Sequence, residues 1–576
     1  MIFADTETDG LLDALTKIHC IVLMRDGLIE SYHDHEGIEP RTGSLEEGVD
    51  ILEDKAEEVC FHNAHGFDGP ALNMIFPALR NTHRFVDSLI AARAALPDPS
   101  VLDYKNDRMP KELIGRHSLK AWGYRLGLNK SEIETDWAEF TEEMLEYCIQ
   151  DVKVLAALWE YITAAGITLD SYRREERFAF AISGMEKNGF AFDEKEGALL
   201  QGTLAEKRTL LDLAVLDAFP PHRIKKYKRR PKKFDSSIHE VDDEGFTWKI
   251  EAFNPQSRLQ IAAGFKDKYK WEPTLFTPAG SPLMDEVVLR GMPYPEARLF
   301  AERLRLQKQL GMLAEGKQAW MRLSKDGRIH CRVQHSAART HRCSHSHPNL
   351  AQVDKDPTMR GLFVPSKGNV LVGIDLSGLE LRCLAHYMDD KDYTSVLLNG
   401  DIHTHNMKAW EVEDRDLGKR LTYACLYGGG DALLGDITGG GQTEGKRARK
   451  RFLANLPALA RLIKDAQKVV KTRGWLRSLD GRPTYSPDYA ALNSLLQSAG
   501  AIIAKEWVGL LSTRLPEEAL LVAMVHDEVQ IDCPPALAEE VGTLCVEAAE
   551  EAGRNLNMKL PITAEFQVGN SWANTH

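Results

Sequence analysis

Apolar positions along the chain follow two spacings, and their order predicts an α/β region followed by a mainly helical one. Short apolar runs at residues 1–4, 20–24 and 58–62 have the length of buried strands, whereas residues 142–161 carry apolar side chains at helical spacing. Strand-length runs that alternate with helical stretches are typical of a sheet flanked by helices. About the first 165 residues are therefore predicted to form one α/β unit.

From residue 171 onward the spacing is mainly helical, and the clearest helical segments are 194–219, 295–324 and 379–470. A stretch rich in Pro and Lys, from residue 220 to about 243, predicts a loop between the first two. Strand-like runs lie around 329–333 and 369–374, and the last hundred residues mix both spacings. This larger part is predicted to be a separate α+β unit.

One late segment carries two acids at a turn. Residues 520–525 are apolar and the alternation continues through Val529 and Ile531, which predicts two short strands joined by a tight turn. Asp527 and Glu528 lie at that turn, and two adjacent carboxylates repel each other unless a cation lies between them. Taken alone, such a turn is equally often a solvated hairpin.

A partner for these acids is Asp375, which ends the apolar run 370–375. A carboxylate at the end of a buried strand and another at a hairpin turn can bind one divalent cation from two sides. Hard oxygen ligands of this kind suit Mg²⁺. Asp375 and Asp527 therefore predict a metal site divided between two segments of the chain.

The bulk composition limits the class of protein. At 576 residues the chain predicts several domains, since a single core seldom grows past about 250–300 residues. An apolar fraction of 43% and a charged fraction of 27% are typical of globular proteins. The nine cysteines include no Cys-x-x-Cys pair and fit a reducing compartment. The sequence contains neither a signal peptide nor an apolar run of about 18 residues. We therefore expect a cytoplasmic protein with no membrane partner.

The formal net charge of −13 is unusual for a protein that binds nucleic acid, but the charge is unevenly distributed. Residues 1–170 contain 15 Lys/Arg and 32 Asp/Glu, a balance of −17, so residues 171–576 carry a balance of +4. Basic residues are also clustered, with eight Lys/Arg among the thirteen residues 221–233. The larger part of the chain therefore suits contacts with phosphates.

Acids in the N-terminal unit predict a second metal site. Asp5 and Glu7 are two residues apart on a predicted strand, so their side chains face the same way, and Asp68 follows farther along. Tyr147 and Asp151 are four residues apart in a helical stretch and share a face. With two cations, such a set would make a hydrolase in which one ion activates water, the other stabilises the leaving oxygen and the tyrosine orients the water. Any one of these pairs taken alone is more often a solvated surface feature.

A third candidate feature is a stripe on a predicted helix. Arg415, Lys419, Tyr423 and Tyr427 recur every four residues, so two cations are followed by two aromatic rings on one helical face. Such a stripe could hold a triphosphate at one end and stack on a base at the other. An isolated helix of this kind is more often a basic amphipathic helix packed by its tyrosines.

Together, and in this order, the segments around Asp375, Lys419 and Asp527 resemble motifs A, B and C of the family-A DNA polymerases. The likeness is strong to the replicative polymerases of short-tailed bacteriophages and extends to segments 117–125, 340–342, 348–352, 377–386, 493–500 and 570–576. It implies a right-hand polymerase domain with thumb, palm and fingers. It also implies a DNA-templated DNA polymerase, which adds dNTPs to a primer 3′-hydroxyl.

The resemblance assigns roles to the matching acids and to the nucleotide-binding residues. Asp375 and Asp527 would bind two Mg²⁺ ions, for which Mn²⁺ could substitute, and Glu528 would be a further catalytic acid near them. The residues that would bind the incoming nucleotide are His403, Arg415, Lys419, Tyr423 and Glu380.

Within that nucleotide-binding set, Lys419 would protonate the departing pyrophosphate and Glu380 would exclude a ribose 2′-hydroxyl. Tyrosine rather than phenylalanine at position 423 is associated in the family with weak exclusion of dideoxynucleotides. The residues that would contact DNA are Arg342, Asn493, Gln497, His526 and Tyr427.

The N-terminal acids resemble those of the DEDD-type 3′–5′ exonuclease domain in its tyrosine subclass. The likeness implies an RNase H-like fold and proofreading, with two metal ions at this site also. Asp5, Glu7, Asp68 and Asp151 would be the metal ligands, and Tyr147 would be catalytic.

The two resemblances together imply a domain order. We expect an exonuclease domain at residues 1–170 and a polymerase domain at 171–576. Within the latter, the thumb would cover about 195–325, the palm about 326–390 and 480–576, and the fingers about 391–479.

The expected substrates are primed template DNA and dNTPs, and the expected replisome partners are a helicase–primase and a single-strand-binding protein. The phage relatives carry a long thumb insertion that binds host thioredoxin, but the stretch between about 219 and 253 is short here, so we do not expect thioredoxin dependence. The basic segment 221–233 is either a solvated loop or, in a thumb, a contact for duplex phosphates. We expect a monomer.

Three other functions compete with this interpretation. Glu380 and the N-terminal acids argue against an RNA-synthesising relative with a similar palm. A nuclease on a degenerate polymerase scaffold would lack Asp375, Asp527 or Lys419, and all three are present. A non-catalytic DNA-binding module is disfavoured because both sets of acids are complete.

Overall fold

The computed structural model describes residues 1–54, 57–128, 137–227, 230–277, 279–353 and 355–575, with only the backbone described at 222–225. The N-terminal sheet has five strands in the order β3-β2-β1-β4-β5, namely β1 Ile2–Thr8, β2 Ile18–Arg25, β3 Leu28–Tyr32, β4 Val59–Phe61 and β5 Val86–Asp87. The first strand pairs antiparallel with β2 and parallel with β4. This mixed sheet has the strand order expected of an RNase H-like fold.

Helices flank this sheet: α1 Leu45–Glu53, α2 Asp68–Ile75, α3 Ser88–Ala95, α4 Ser100–Asp103, α5 Leu119–Leu126 and α6 Glu142–Ala164. The last of these begins at Thr141, whose side chain caps it by accepting from the N–H of Met144. Its apolar face buries Cys148 and Val152 against Cys20 and Val22 of β2. This packing holds the helix that carries Tyr147 and Asp151 against the sheet that carries Asp5 and Glu7.

Helix α7 (Leu169–Asn188) leads out of the N-terminal unit and ends at the two-residue strand β6 (Phe190–Ala191). Its first turn is closed by a capping box between Thr168 and Ser171. The long helix α8 (Glu194–Ala218) follows, as predicted.

The predicted loop from 220 to about 243 is wrong. Strands β7 (His222–Tyr227), β8 (His239–Val241) and β9 (Thr247–Glu251) form an antiparallel sheet in the order β7-β9-β8. The ammonium of Lys226 lies 3.7 Å from the centre of the Phe246 ring, so cation–aromatic packing supports strands that composition alone had assigned to a loop. Of the basic segment, residues 228–229 lie outside the described residues.

Three further helices follow, α9 (Arg258–Tyr269), α10 (Glu286–Gly291) and α11 (Pro295–Leu310). The helix predicted for 295–324 is interrupted, because a π-helical turn at Gly311–Glu315 separates α11 from the short α12 (Trp320–Leu323). The strand predicted near 329–333 is two strands, β10 (Arg328–Ile329) and β11 (Arg332–Gln334). The first pairs with β6 and the second with β12 (Ser344–Ser346).

Helices dominate the next region, as predicted, after strand β13. The elements are α13 Pro357–Arg360, β13 Val370–Leu376, α14 Leu379–Met388, α15 Lys391–Asn399, α16 Ile402–Trp410, α17 Arg415–Leu426, α18 Asp431–Thr438, α19 Gly441–Asn455 and α20 Pro457–Arg473. The Trp410 ring stacks on Phe452 at a centroid distance of 4.0 Å and joins α16 to α19.

The last elements are β14 Trp475–Arg477, β15 Pro483–Tyr485, α21 Ala491–Leu511, β16 Leu520–Val525, β17 Glu528–Cys533, α22 Ala538–Asn555 and β18 Ala564–Gly569. Four strands form the central sheet in the order β16-β17-β13-β18. The predicted hairpin at the two acids is confirmed, and its second strand pairs directly with β13. The multidomain α/β and α+β prediction agrees with this architecture.

No single helix among the described residues is long and apolar enough to cross a membrane. By length and composition, α6 and α7 meet that test only as a pair bent by 107°.

Candidate functional site

Three acids meet on the central sheet where β13 ends beside the hairpin turn. Asp375 lies directly across from Glu528 in the antiparallel pairing of β13 with β17. The N–H of Leu376 donates to the carbonyl oxygen of Asp527 at 3.0 Å. His526 adopts a positive φ of 59° within the turn. The turn therefore brings the two predicted metal ligands onto adjoining backbone segments.

The electrostatics of this cluster suit a cation. Burial, and then the negative charges of Asp527 and Glu528, raise the pKa of Asp375 to about 7. Carboxylates held this close favour either a bound proton or a cation between them. Because carboxylate oxygens are ligands that Mg²⁺ prefers, the residues present fit a divalent ion.

Glu380 is brought to the same region from the first turn of α14. The Tyr427 hydroxyl donates to Glu380 Oε2 at 2.5 Å, and a guanidinium nitrogen of Arg342 lies 3.4 Å from Glu380 Oε1. Burial and the hydrogen bond to Glu380 raise the pKa of Tyr427. Arg342, Glu380, His526 and Asp527 line one cavity.

The predicted stripe lies on α17, and Tyr427 is the residue just after its end. The rings of Tyr423 and Tyr427 are 6.1 Å apart. At the other end, Arg415 donates to both carboxylate oxygens of Asp401 at 2.8 and 3.0 Å. The cationic end of the stripe therefore faces an acid of the preceding helix.

His403 lies beside this stripe, in the first turn of α16. Its ring centre is 6.3 Å from that of Tyr423. Burial, and then the charges of Lys419 and Arg415, lower the pKa of His403. The four predicted nucleotide-binding residues around α17 are therefore neighbours.

Asn493 and Gln497 lie one turn apart on α21. Gly500, three residues after Gln497, lines the cavity that contains Arg342 and Asp527. The helix therefore runs past the cavity, and the two predicted DNA contacts are on its N-terminal half.

At the N-terminal site, the structure brings together Asp5, Glu7 and Cys148. One ligand atom from each of these side chains lies within 4.8 Å of the others. Burial raises the pKa of the Cys148 thiol well above its usual range, so the thiol is neutral, and it lies 3.8 Å from Asp5 Oδ2. The two carboxylates are the hard ligands of this group.

Asp68 and Asp151 do not belong to this compact group of ligand atoms, as far as the described residues show. Asp68 is hydrogen-bonded to strand β1, which also carries Asp5 and Glu7, because Thr6 Oγ1 donates to Asp68 Oδ1 at 2.7 Å. Burial raises the pKa of Asp68 to about 7 although this hydrogen bond opposes the shift. Asp151 lies on α6, three residues after Cys148.

Tyr147, also on α6, has an aromatic neighbour that sequence reasoning missed. The ring of Trp137 lies 6.2 Å from that of Tyr147 at an angle of 76°, an edge-to-face contact. The Trp137 carbonyl is held by Nε2 of the buried His19 at 2.8 Å.

Comparisons with known proteins agree with this geometry. A model of DNA polymerase family A matches residues 224–574, which include every predicted residue of the central site. The chain is a family A DNA polymerase.

Two phage relatives of this polymerase are aligned over its full length, and a bacterial relative over most of it. The DNA-directed DNA polymerases of Enterobacteria phage T3 and Escherichia phage T7 are each 32% identical, over alignments that cover 100% of this chain and 100% of theirs. DNA polymerase I of Aquifex aeolicus is 26% identical over 79% of this chain and 81% of that protein. The chain is therefore a DNA-directed DNA polymerase, with template DNA and dNTPs as its substrates.

A solved structure shares the fold of this polymerase. The POL domain of Pol1 from M. smegmatis, in complex with DNA primer-template and dNTP, has a TM-score of 0.70 and 17% identity. The match covers 100% of this chain and 95% of that one. The right-hand polymerase fold and the phage-like resemblance are thus confirmed.

Sequence reasoning also missed residues that support the polymerase site. Lys505 of α21 lines the cavity beside Arg342 and, although buried, pairs with Glu175 of α7 at 2.7 Å. Trp572, close to the C-terminus, donates to Glu528. One signal was available for the first of these, because Lys505 and the adjacent Glu506 are the only charged residues of α21 and interrupt an apolar run.

Proposed function

We propose that this DNA polymerase replicates DNA by two-metal nucleotidyl transfer and removes misincorporated nucleotides at a separate 3′–5′ exonuclease site. The observation that carries the first half is that Asp375 lies beside the turn at Asp527 and Glu528, where burial and then the charges of these two acids raise the pKa of Asp375 to about 7. The exonuclease domain would cover residues 1–170 and the polymerase domain residues 171–576.

Asp375 and Asp527 would hold the ions at the polymerase site, with Mg²⁺ as the expected metal and Mn²⁺ as a substitute. When bound, two such ions align the primer 3′-hydroxyl with the α-phosphate and offset the charge that develops during transfer. The protein's own contribution is to hold the two carboxylates on backbone segments joined by the 3.0 Å hydrogen bond from Leu376 to Asp527.

The triphosphate would bind to Arg415, Lys419 and His403. Arg415 is held in a two-point ion pair with Asp401, so its planar fork is oriented before nucleotide binds. A triphosphate carries more charge than Asp401 and competes for the same donors. Lys419, one turn farther along, would donate a proton to the departing pyrophosphate.

Glu380 would select deoxynucleotides. Its carboxylate is fixed by the Tyr427 hydroxyl at 2.5 Å and by Arg342 at 3.4 Å, and it lies in the cavity that contains Asp527. A carboxylate fixed in this way cannot move aside for a ribose 2′-hydroxyl. Arg342, Asn493, Gln497 and His526 would contact primer and template around the same cavity, and Tyr427 would support the template base.

The exonuclease site would use Asp5, Glu7, Asp68 and Asp151 as ligands for two divalent ions, and Tyr147 to orient the attacking water. Support comes from the group formed by Asp5, Glu7 and the neutral Cys148, and from the burial of Asp68. A cation would offset the effect of burial, which favours a proton on Asp68.

The three-stranded sheet β7-β9-β8 would contact duplex phosphates in the thumb, with no requirement for thioredoxin. The alignments with the two phage polymerases are 715 positions long and this chain has 576 residues, so at least 139 positions have no residue here. This difference in length is compatible with a short thumb insertion. Processivity measured with and without added thioredoxin should be the same; a large increase on adding thioredoxin would contradict the proposal. Helicase–primase and single-strand-binding protein are the proposed replisome partners.

Primer extension with Mg²⁺ tests the polymerase half of the proposal. The parent should extend a matched primer with dNTPs far better than with NTPs, and Asp527→Ala should abolish extension. Extension that survives Asp527→Ala would overturn the assignment of the metal site.

Degradation of single-stranded DNA tests the exonuclease half. Asp5→Ala should stop degradation while leaving primer extension intact, and Asp527→Ala should have the opposite pattern. Unchanged degradation by Asp5→Ala would remove the exonuclease site from the proposal.

A further inference from the structure

Glu528 follows the proposed metal ligand Asp527, but its carboxylate is taken up by other partners. Gln530 Nε2 donates to Glu528 Oε1 at 2.9 Å, and the indole N–H of Trp572 donates to the same oxygen. The other oxygen, Oε2, lies 3.6 Å from the guanidinium of Arg360. Glu528 is 4% exposed, so these partners rather than water solvate its charge.

The C-terminal segment, Trp572–Thr575, supplies one of these partners, Trp572, and supports another, Arg360. Trp572 is fully buried, and its backbone N–H donates to the carbonyl oxygen of Phe363 at 2.9 Å. The guanidinium of Arg360 lies 4.5 Å from the centre of the Trp572 ring. Trp572 therefore orients the cation that faces Glu528 as well as donating to Glu528 itself.

A second contact reaches the same carboxylate through Gln530. Thr575 Oγ1 donates to Gln530 Oε1 at 2.7 Å, which leaves the amide nitrogen of Gln530 directed at Glu528. The C-terminal segment thus reaches Glu528 along two hydrogen-bonded routes.

The segment also lies directly against the strand that carries Asp375. A Cβ at Gly373, two residues before Asp375, would lie 2.3 Å from the carbonyl oxygen of Thr575 and 2.5 Å from Gln530 Nε2. Only a glycine allows the backbone of Thr575 to approach β13 this closely. The C-terminal segment therefore packs closely against β13, the strand that carries Asp375.

We propose that the C-terminal segment Trp572–Thr575 is a positioning element of the polymerase site, which acts by fixing the Glu528 carboxylate beside the metal ligands. Glu528 lies across from Asp375 and next to Asp527, so a rotation of its side chain would change the negative charge next to both proposed ligands. Trp572 and Thr575 prevent that rotation and fix the turn that presents Asp527. The inference rests on the proposed metal-binding role of Asp527.

Trp572→Phe tests this inference because it keeps an aromatic ring and removes the N–H. Partners that orient metal ligands are typically worth about 10–100-fold in activity or metal affinity. We expect kcat for primer extension to fall by about 10–100-fold, with KM for dNTP changed less than about threefold. We also expect faster hydrogen exchange at the backbone amides of residues 525–529, a readout that needs no metal.

Trp507→Phe is the matched control. Trp507 is also fully buried, and its indole N–H donates to the carbonyl oxygen of Cys545 at 2.9 Å, so the same kind of hydrogen bond is lost elsewhere in the palm. It should lower the melting temperature about as much as Trp572→Phe but leave kcat and exchange at 525–529 unchanged. Thr575→Val, which removes the outer hydrogen bond, should change kcat in the same direction by a few-fold.

A double substitution shows whether Trp572 acts through Glu528. In a Glu528→Gln background, Trp572→Phe should have less than about one third of its effect on kcat, since coupled residues are not additive. Parent-like kcat in Trp572→Phe and Thr575→Val, or an equal effect in both backgrounds, would overturn the inference. If Asp527→Ala is inactive while both tail variants match the parent, the inference fails and the metal site stands. If Asp527→Ala still extends primers, both the inference and the proposed metal site fail.

Discussion

The buried ion cluster around Glu175 should dominate the stability of the junction between α7 and the palm. Glu175 is 1% exposed and contacts Lys505 Nζ at 2.7 Å, Arg482 at 2.5 Å and His335 Nδ1 at 2.7 Å. Arg482 also pairs with Asp480 at 2.6 Å. Burial lowers the pKa of His335, so this histidine is neutral at pH 7. Two acids therefore balance two bases within the cluster.

Glu175→Gln removes one of those charges and leaves an excess buried cation. Breaking a buried pair on one side costs about 3–5 kcal/mol, because the remaining charge is neither hydrated nor balanced. Lys505→Met should cost a similar amount for the opposite reason. The double substitution restores the balance, since Arg482 and Asp480 remain paired, so its cost should be well below the sum.

The assay is a double-mutant cycle measured by urea denaturation at pH 7, with melting temperature as a second probe. We expect a coupling free energy of at least about 2 kcal/mol between the two substitutions. Asp170→Asn is the control: it breaks an exposed pair with Arg174 on the same helix and should cost under about 1 kcal/mol. Additive effects, or a cost below about 1 kcal/mol for Glu175→Gln, would refute this account of the cluster.

The difference in unfolding free energy between the parent and Glu175→Gln should depend on pH, and the pKa of Glu175 sets the direction. Burial alone would raise the pKa of Glu175, but the charges of Lys505 and Arg482 outweigh it and hold the pKa well below its usual range. A depressed carboxyl pKa contributes stability that is present above the unfolded value and is lost as the pH falls through the folded value. The gap between the parent and Glu175→Gln should therefore narrow only in acid.

Three further predictions concern the polymerase site. Tyr423→Phe should reduce dideoxynucleotide incorporation relative to dNTP incorporation by about tenfold, because the variant lacks one hydrogen bond. Equal discrimination against dideoxynucleotides by the parent and the variant would contradict the role of the hydroxyl. Glu380→Ala should raise ribonucleotide incorporation by at least about tenfold in single-nucleotide kinetics, and an unchanged ratio would exclude Glu380 as the barrier. Because the pKa of Asp375 is raised to about 7, protons compete with the metal below that pH. The apparent Mg²⁺ affinity in titrations should therefore rise with pH up to about 7 and then level, while the contribution of Asp375 to the stability of the metal-free protein falls over the same range. An apparent Mg²⁺ affinity that does not change with pH would contradict this prediction.

Elements with strong periodicity were predictable, and elements that depend on distant partners were not. The hairpin β16–β17 and the helices α6 and α17 follow from local patterns of apolar residues. The sheet β7-β9-β8 does not, because its basic strand β7 is stabilised by ring contacts with Phe246, just before β9, and with His239 of β8. The π-helical turn after α11 has no composition signal at all.

The candidate site divides in the same way. The acids and the α17 stripe can be recognised from residue type and spacing. The bond between Tyr427 and Glu380 joins residues 47 positions apart, and that between Lys505 and Glu175 joins residues 330 apart. No local pattern encodes such contacts, so the residues that hold the catalytic groups emerge only from the fold. Glu528 illustrates the difference: the sequence places it beside Asp527, the proposed metal ligand, while the structure directs its carboxylate to Arg360 and Trp572.

The proposed function requires that one chain carry two independent metal-dependent sites, one that extends primers and one that edits them. Single-turnover kinetics on a primer with one mispaired 3′-nucleotide, in the presence of Mg²⁺ and dNTPs, tests it most directly. The parent should excise the mispair and then extend, Asp5→Ala should leave the mispair and stall, and Asp527→Ala should excise without extending. Excision by Asp5→Ala, or extension by Asp527→Ala, would contradict the claim.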